Sequence, residues 1–479
     1  MLKFTQREIR LLLSSFGEVI YYFSFAFLLP LLVSIYYGEG PAAIISYLVP
    51  FLVALALGYS LKTYFKIDHA ASEATAFTLI LLIWTLAPLI AATPYITYLD
   101  VPAIDAYFES ISAFTTTGLT MITAYQPIPN SLLFWRSLEA WIGGAGLIVL
   151  ALVGLLRYTR ASQLYEAEGR TERLRPNVVN TVKLIWKIYI SLTFAGTALL
   201  ILTKVDPFRA LNYAMSAIST TGLVDTASNL VPFGVETQFA LALISITGAT
   251  SFLIAYQFVK GNLKAPLQSL ELKMLITMAI ISAALIAPKI AHLYGEESLR
   301  IATFHSIAAI TNGGFATTLI DTWGDFPKLL LSMLMIFGGS AGSTAGGLKL
   351  IRVWIYIKSL WWRIKRYSYP PNVIIPRKIR GVPVKDEDIY AVTRFIILYL
   401  LFIMLGITVL AFTLENVNAG NIIIEVTSAQ GNVGLTSGIT HAGMPIAAKA
   451  MLMLNMIVGR IEIYPLMALV GFIIKMRRS

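Results

Sequence analysis

The stretch Ser112–Thr120 reads SAFTTTGLT, and it places three consecutive threonines and Gly118 where an apolar helix would be expected to continue. Similar stretches recur at intervals of about a hundred residues, each after a half-length amphipathic run, which predicts four related helix–loop–helix modules. The other three stretches read ISTTGLV (Ile218–Val224), ITNGGFA (Ile310–Ala316) and GNVGLTS (Gly431–Ser437).

The composition is that of a membrane protein. The chain has 479 residues, of which 57% are hydrophobic and 13% charged, whereas soluble domains carry roughly 25% charged residues. Apolar runs long enough to cross a bilayer recur along the whole chain. We therefore predict an all-α polytopic membrane protein. The absence of cysteine excludes disulfides, thiolate zinc sites and cysteine catalysis.

The charge pattern predicts ten membrane crossings with both termini in the cytoplasm. Basic residues follow the second, fourth, sixth, eighth and tenth apolar runs, whereas acidic residues dominate the intervening loops. The net charge of +11 therefore reflects orientation, and we expect no nucleic-acid binding because no basic patch with interleaved aromatics lies outside these loops. The predicted spans are 17–37, 43–61, 75–99, 131–156, 182–203, 236–259, 272–294, 327–360, 390–413 and 446–474.

The four half-length runs are too short to cross the membrane, so each is predicted to enter it and turn back. Non-helical backbone is tolerated at membrane depth only where it is buried in protein or lines a watery cavity. Four such loops around one axis would direct backbone carbonyls at a common centre, where they could replace the hydration shell of an alkali cation. The alternative is that glycine and threonine merely allow close helix packing.

A second interruption, FGGSAGSTAGGLKLIR (Phe337–Arg352), falls within the eighth predicted span. A phosphate-binding loop is excluded because the G-K-[ST] ending and a preceding strand are both missing. Glycine and serine at this density break a helix. We expect a flexible plug on the cytoplasmic side of the four loops, with a packing kink as the alternative.

Several polar residues lie within apolar segments. Arg460 is a candidate functional residue because intramembrane arginine is costly, although it could also pair with Glu462 or cap loop carbonyls. Asp105, Glu109 and Glu425 are expected to solvate the outer ends of the half-helices or to concentrate cations there. The histidines show no metal-ligand spacing; they are His69, His292, His305 and His441.

These loops, together with WIGGAGLIVLA (Trp141–Ala151), QLYEAE (Gln163–Glu168), the glycine-rich run and GRIEIYPL (Gly459–Leu466), resemble the Trk/Ktr/HKT superfamily of potassium transporters over essentially the whole chain. The closest likeness is to the Trk-type integral subunit. The resemblance implies two N-terminal helices (1–70) and four tandem helix–pore-loop–helix modules around one pseudo-fourfold pore. The implied modules are 71–160, 161–265 with a cytoplasmic loop, 266–370 with a gating loop, and 371–479.

The resemblance also implies the function and its residues. It implies potassium uptake across the cell membrane by a homodimer, gated through a cytoplasmic ring of nucleotide-binding regulatory subunits of Trk or Ktr type. Potassium in the pore would be the bound ion, with no covalently bound cofactor and nucleotide only on the partner. The implied filter residues are Thr116, Thr117, Gly118, Thr220, Thr221, Gly222, Asn312, Gly313, Gly314, Asn432, Val433 and Gly434. The implied gating residues are Gly338, Gly339, Ser340, Gly342, Ser343, Gly346, Gly347 and Arg460.

Two other functions are weighed against this one. A sodium-coupled or alternating-access secondary transporter usually has inverted repeats, whereas every module here has the same predicted orientation. A membrane enzyme, such as a lipid-linked transferase, would need converging carboxylate, histidine or metal-ligand clusters, and the sequence shows none. We therefore expect a transporter that is not an enzyme.

Overall fold

The computed structural model describes residues 4–66, 73–122, 127–146, 178–226, 229–370, 372–373, 375–379 and 381–477. Within them the chain is helical apart from one two-stranded antiparallel ribbon, Lys378–Ile379 with Val382–Pro383. The N-terminal part comprises Phe4–Ser24, the 3₁₀ turn Phe25–Phe27, Leu28–Tyr36 and Pro41–Tyr64. The all-α membrane architecture is thereby confirmed.

Each repeated unit consists of a long helix, a half-helix and a second helix. The long helices are Glu73–Ala91 with Thr93–Leu99, Val178–Leu202, Leu270–Tyr294 and Asp386–Thr413. The half-helices are Ala103–Phe114, Pro207–Ile218, Ser298–Ile310 and Ala419–Gly431. The second helices are Asn130–Ala145, Val235–Gly248 with Phe252–Val259, Asp325–Phe337 with Leu350–Ser368, and Ile446–Ile461 with Tyr464–Arg477. The short connecting helices are Ala265–Gln268 and the 3₁₀ turn Gly295–Glu297.

The same backbone turn ends all four half-helices. Thr116, Thr220, Asn312 and Asn432 have φ values of 57, 57, 56 and 55°. A left-handed conformation is uncommon for residues other than glycine and persists only where the surroundings impose it. Its recurrence two residues before each central glycine shows that the four units share one local structure. We call these segments the four glycine turns: Thr116–Gly118, Thr220–Gly222, Asn312–Gly314 and Asn432–Gly434.

The prediction of continuous helices is wrong for the sixth and tenth spans, whereas the interruption predicted within the eighth span is present. Among the described residues, six helices are long and apolar enough to cross a membrane, and two further pairs, each bent by 104°, reach that length together. The sixth predicted span breaks between Gly248 and Phe252, the eighth at the glycine-rich run, and the tenth after Ile461. The fourth leaves the described residues after Gly146. A hydropathy window averages over about 19 residues, so a short polar stretch such as Thr250–Ser251 or the single Glu462 does not end an apolar run.

The N-terminal helix also begins at Phe4, well before the predicted start of the first span at residue 17. Its first turns carry the polar residues Thr5, Gln6 and Arg7. An apolar window excludes such turns even where they are helical.

In three of the repeated units, a glycine of the second helix packs directly against the end of a half-helix. A Cβ atom on Gly143, Gly248 or Gly459 would lie closer than 3.0 Å to a half-helix carbonyl. The three carbonyls belong to Phe114, Ile218 and Gln430, each four residues before a central glycine. Glycine is therefore required because the helix backbone approaches the end of the half-helix directly.

We predict that Gly143→Ala destabilises the protein, because its Cβ would overlap the Phe114 carbonyl and force a backbone shift. Overpacking of this kind costs about 1–3 kcal/mol. Gly471→Ala is the matched control, since nothing lies within 4 Å of its Cβ position in a helix. Thermal unfolding of the purified proteins should show a lower Tm for Gly143→Ala and an unchanged or higher Tm for Gly471→Ala. Equal Tm values would contradict the contact.

Candidate functional site

The four glycine turns meet in a closed ring. A Cβ on each central glycine would lie closer than 3.0 Å to a backbone carbonyl of the next turn in chain order, and the fourth glycine faces the first turn. This cyclic order places the four turns around one axis. The contacts are Gly118 with Thr221 O, Gly222 with Gly313 O, Gly314 with Val433 O, and Gly434 with Thr117 O.

The central glycines bring backbone carbonyls of neighbouring turns close together. The residues of the turns are buried in the protein except Gly118, which is half-buried. The central glycines have φ values of 84, 82, 64 and 99°. Such values suit glycine, which allows the backbones to approach this closely. Neutral carbonyl oxygens crowded around an axis repel each other unless a cation lies among them, so this arrangement suits an alkali cation.

Two asparagines hold neighbouring turns together. The Asn432 amide donates to Thr117 Oγ1 at 3.0 Å and to Met456 O at 2.8 Å. The Asn312 amide donates to Gly431 O at 2.8 Å. These bonds join the fourth turn to the first and the third to the fourth. The two asparagines therefore support the ring from behind through their side chains.

A buried polar residue lies nine positions before each central glycine, and in three of the four units it bonds to the chain that follows the turn. Sequence analysis did not find this set, although aligning the four repeats on their glycines would have revealed it. Tyr213 donates to Asp225, three residues after Gly222, whereas His305 Nδ1 lies 3.0 Å from Ile301 O in its own half-helix. The four residues are Glu109, Tyr213, His305 and Glu425.

The expectation that the acidic residues solvate the half-helix ends is wrong. Glu109 is 1% exposed and accepts from Met121 N at 2.9 Å, and Arg136 Nε lies 2.9 Å from its Oε1. Asp105 is 3% exposed and pairs with Lys449 of the fourth unit. Charges removed from water must be compensated. These carboxylates therefore form buried ion pairs that hold segments of the protein together. Sequence analysis did not identify their basic partners.

Glu425 is satisfied without a basic partner in its hydrogen bonds. It is fully buried and accepts from Ser437 N at 3.0 Å and from Thr440 N at 3.1 Å. The hydroxyls of Thr436, Ser437 and Thr440 also donate to it. A carboxylate so surrounded by donors fixes the path of the chain after the fourth turn.

The glycine-rich run forms an irregular loop beneath the ring. The loop, residues 338–349, is anchored on the break in the sixth predicted span. Ser340 N donates to Ala249 O at 2.9 Å, and Thr344 N donates to Gly248 O at 3.2 Å. The Thr344 hydroxyl lies 2.9 Å from Ile218 O and from Gly248 O. Gly346 abuts Gly431 O, so the loop contacts the ends of two half-helices.

Arg460 joins this loop to the ring. Its Nη1 donates to Thr344 O at 2.7 Å and to Thr116 Oγ1 at 3.2 Å, and its Nη2 donates to Gly143 O at 2.7 Å. The sequence left open whether Arg460 pairs with Glu462 or caps loop carbonyls, and in the structure it caps a loop carbonyl. The Glu462 partner is instead Arg352, at 2.6 Å.

Two cavities flank these contacts. One, of about 120 Å³, is lined by Gly118, Gly222 and Gly434 and by residues after the turns. The other, of about 60 Å³, is lined by the glycine-rich loop, Trp84 and Arg460. In the described part of the chain, no group of three or more histidine, aspartate or glutamate side chains could hold a metal ion. His69 and the segment QLYEAE lie outside the described residues.

Several known proteins are similar to this chain in sequence and in fold. The family model for TrkH, described as a cation transport protein, matches residues 47–478. The chain is 31% identical to an uncharacterized cation transporter of Methanocaldococcus jannaschii, over 98% of this chain and 96% of that protein. It is 28% identical to the Trk system potassium uptake protein TrkH of Escherichia coli, over 95% and 96% of the two chains. The crystal structure of the potassium transporter TrkH from Vibrio parahaemolyticus superposes with a TM-score of 0.85, at 26% identity, over 96% and 98% of the two chains.

We predict that Glu425→Gln destabilises the fourth unit, because the amide group would turn a donor toward backbone N–H groups that now donate to an oxygen. An unsatisfied buried group costs about 1–3 kcal/mol. Glu415→Gln is the control, since that side chain is exposed shortly before the same half-helix. Thermal unfolding should give a lower Tm for Glu425→Gln alone. A Tm equal to that of the control would show that the carboxylate is dispensable.

Proposed function

Since the chain belongs to the TrkH family of cation transport proteins, we propose that it takes up potassium across the cell membrane through the ring of glycine turns. The observation that carries this proposal is the cyclic contact of each central glycine with a carbonyl of the next turn. Carbonyl oxygens held in this way can replace the hydration shell of a potassium ion. The names of the Escherichia coli and Vibrio parahaemolyticus relatives support potassium as the ion.

In this proposal the twelve residues of the turns are the filter. Selectivity requires that the carbonyls keep their number and spacing when the smaller sodium ion enters. The asparagine amides and the buried Glu109 and Glu425 supply that rigidity, since they fasten the backbone on both sides of the ring. No carboxylate is needed in the filter itself.

The glycine-rich loop is proposed to be the gate. Its backbone lies against the half-helix ends, and the Arg460 guanidinium places a positive charge beside Thr116 and the loop. That charge repels a cation leaving the ring, and the loop adds a steric barrier. Moving the loop requires the bonds from Arg460 and Thr344 to break, so these two residues would set the energy of opening.

We infer the assembly from the resemblance of the sequence to the Trk/Ktr/HKT superfamily. It comprises a homodimer, cytoplasmic termini and a nucleotide-binding regulatory ring on the cytoplasmic side. The four-module boundaries likewise stay predictions. A ring below the membrane could reach the gate through Leu350–Ser368, which continues directly from the glycine-rich loop.

We predict that Gly118→Ser lowers the potassium-to-sodium permeability ratio, because its Cβ would displace the Thr221 carbonyl. The comparison uses cation flux into liposomes holding the purified chain, with potassium, rubidium, sodium and lithium. A fall of roughly tenfold is expected, which corresponds to ~1.4 kcal/mol of lost discrimination.

Gly438→Ser is the matched control for this experiment. Gly438 also has a positive φ, of 86°, but nothing lies within 4 Å of its Cβ position. Backbone strain is thus present in both variants, and the carbonyl clash in only one. If Gly118→Ser keeps the ratio of the unmodified protein, the first turn does not line the filter. Transport with saturable coupling to sodium would favour the secondary-transporter alternative.

We predict that Arg460→Ala raises basal potassium flux without any partner protein, by roughly tenfold. The reason is that hydrogen bonds from a charged donor contribute about 1.5–3 kcal/mol to the closed arrangement. Thr344→Val should act in the same direction, since it removes the hydroxyl that lies 2.9 Å from two carbonyl oxygens and keeps the side-chain shape. Selectivity should persist in both variants, since the ring is unchanged.

Arg300→Ala is the control, because Arg300 is also a partly buried, paired arginine but contacts Glu297 and Gln238 away from the loop. Its basal flux should equal that of the unmodified chain. Reduced or unchanged flux from monodisperse Arg460→Ala and Thr344→Val proteins would refute the gate and leave the loop as a packing kink.

A further inference from the structure

The helix Leu350–Ser368, which follows the glycine-rich loop, has an unusual charge distribution. From Lys349 to Lys385 the chain has ten basic residues and no acidic residue. Within the helix, Lys358, Arg363 and Lys365 alternate with tryptophans and a tyrosine. The proposed filter and gate make no use of these side chains.

The two ends of the helix have different surroundings. Near its start, Arg352 pairs with Glu462 and stacks over the Phe395 ring at 4.3 Å, so this end is fixed in the protein. From Arg363 to the end of the helix every residue is exposed, and Tyr367 is 83% exposed. The distal half of the helix therefore projects from the bundle.

An apolar stripe on this distal half is uncovered. The spacing i, i+3, i+4, i+7 puts four residues on one side of a helix, and all four are about half exposed here. They are Ile357, Leu360, Trp361 and Ile364. At 100° per residue, Lys358 and Lys365 lie on one flank of the stripe and Arg363 on the other.

Two of the lysines are held beside aromatic rings. Lys358 Nζ lies 5.0 Å from the Trp354 ring centroid, and Lys365 Nζ lies 5.8 Å from that of Trp361. These contacts hold the ammonium groups near the indoles. Tryptophan and tyrosine prefer the membrane–water interface, where lysine and arginine extend toward the headgroups.

We propose that the distal half of Leu350–Ser368 binds the headgroup of an anionic phospholipid. The phosphate would contact Lys358 and Lys365, with Arg363 on the other flank, and the acyl chains would cover Ile357, Leu360, Trp361 and Ile364. Charge complementarity supports a lipid, because an uninterrupted basic segment beside an apolar stripe matches an anionic membrane surface. The site lies on the side opposite the start of the third half-helix, since the chain crosses back through Asp325–Phe337 before reaching it. The proposal depends on the membrane location of the chain and not on which ion it carries.

The test is thermal unfolding of the full-length chain in detergent with phosphatidylcholine, titrated with phosphatidylglycerol. A lipid that binds the native protein raises its Tm in a saturable way. The triple variant Lys358→Gln, Arg363→Gln, Lys365→Gln should need at least tenfold more phosphatidylglycerol for half of the full shift, since each basic contact with an anionic surface contributes about fivefold in affinity. Native mass spectrometry should show fewer retained phosphatidylglycerol molecules on the same variant.

The matched control removes three exposed basic charges outside the segment Lys349–Lys385, by Lys260→Gln, Lys264→Gln and Lys273→Gln. It should respond to phosphatidylglycerol like the unmodified chain. A second variant, Lys358→Arg with Lys365→Arg, keeps the charges and should retain the response, which separates a lost site from a damaged fold. Equal responses of the triple variant and the control would overturn the proposal. So would unchanged lipid retention with a changed oligomeric state, because the helix would then face a second copy of the chain.

Discussion

Inside a membrane, backbone N–H and C=O groups must form hydrogen bonds within the protein. The four glycine turns and the glycine-rich loop leave such groups without helical partners. An unpaired peptide group in hydrocarbon costs several kcal/mol. Here the break in the sixth predicted span and the glycine-rich loop form hydrogen bonds with each other. The break leaves Gly248 O and Ala249 O without helical partners, and these carbonyls accept from Thr344 N and Ser340 N of the loop. In return Phe252 N donates to Gly342 O at 3.1 Å. The irregular segments therefore form one interdependent structure.

This constraint explains where glycine is indispensable. Where two backbones touch directly, there is no room for a Cβ atom. This is the case within the ring, as at Gly118, and between a second helix and a half-helix, as at Gly459. The third unit departs from this pattern. Its second helix ends at Phe337, and the glycine-rich loop follows instead of another helical turn. Within the part of the chain that the structure describes, a nearly fourfold arrangement thus has an asymmetric loop beneath its axis.

Buried charge follows the same rule. Asp105 and Glu109 pair with Lys449 and Arg136, and Arg136 Nη1 also lies 3.3 Å from Val224 O of the second unit. A buried pair adds little net stability, but removing one partner costs several kcal/mol. Such pairs therefore fix which units are neighbours. The ring itself then consists of neutral carbonyls, and the charged groups stabilise the helices that surround it.

Sequence alone determined the membrane class, the four repeats and the residues of the turns, because hydropathy, period and the glycine pattern are local and recur. It also located the glycine-rich interruption and singled out Arg460. Only the tertiary structure showed that Arg460 bonds to Thr344 and Gly143, that Glu109 and Glu425 are buried ties, and that second helices break at Gly248 and Ile461. Arg460 and the break at Gly248 depend on partners about a hundred or more residues away, whereas Glu109 and Glu425 accept from donors 12 to 27 residues away. In both cases a period in the sequence does not reveal which donor meets which acceptor.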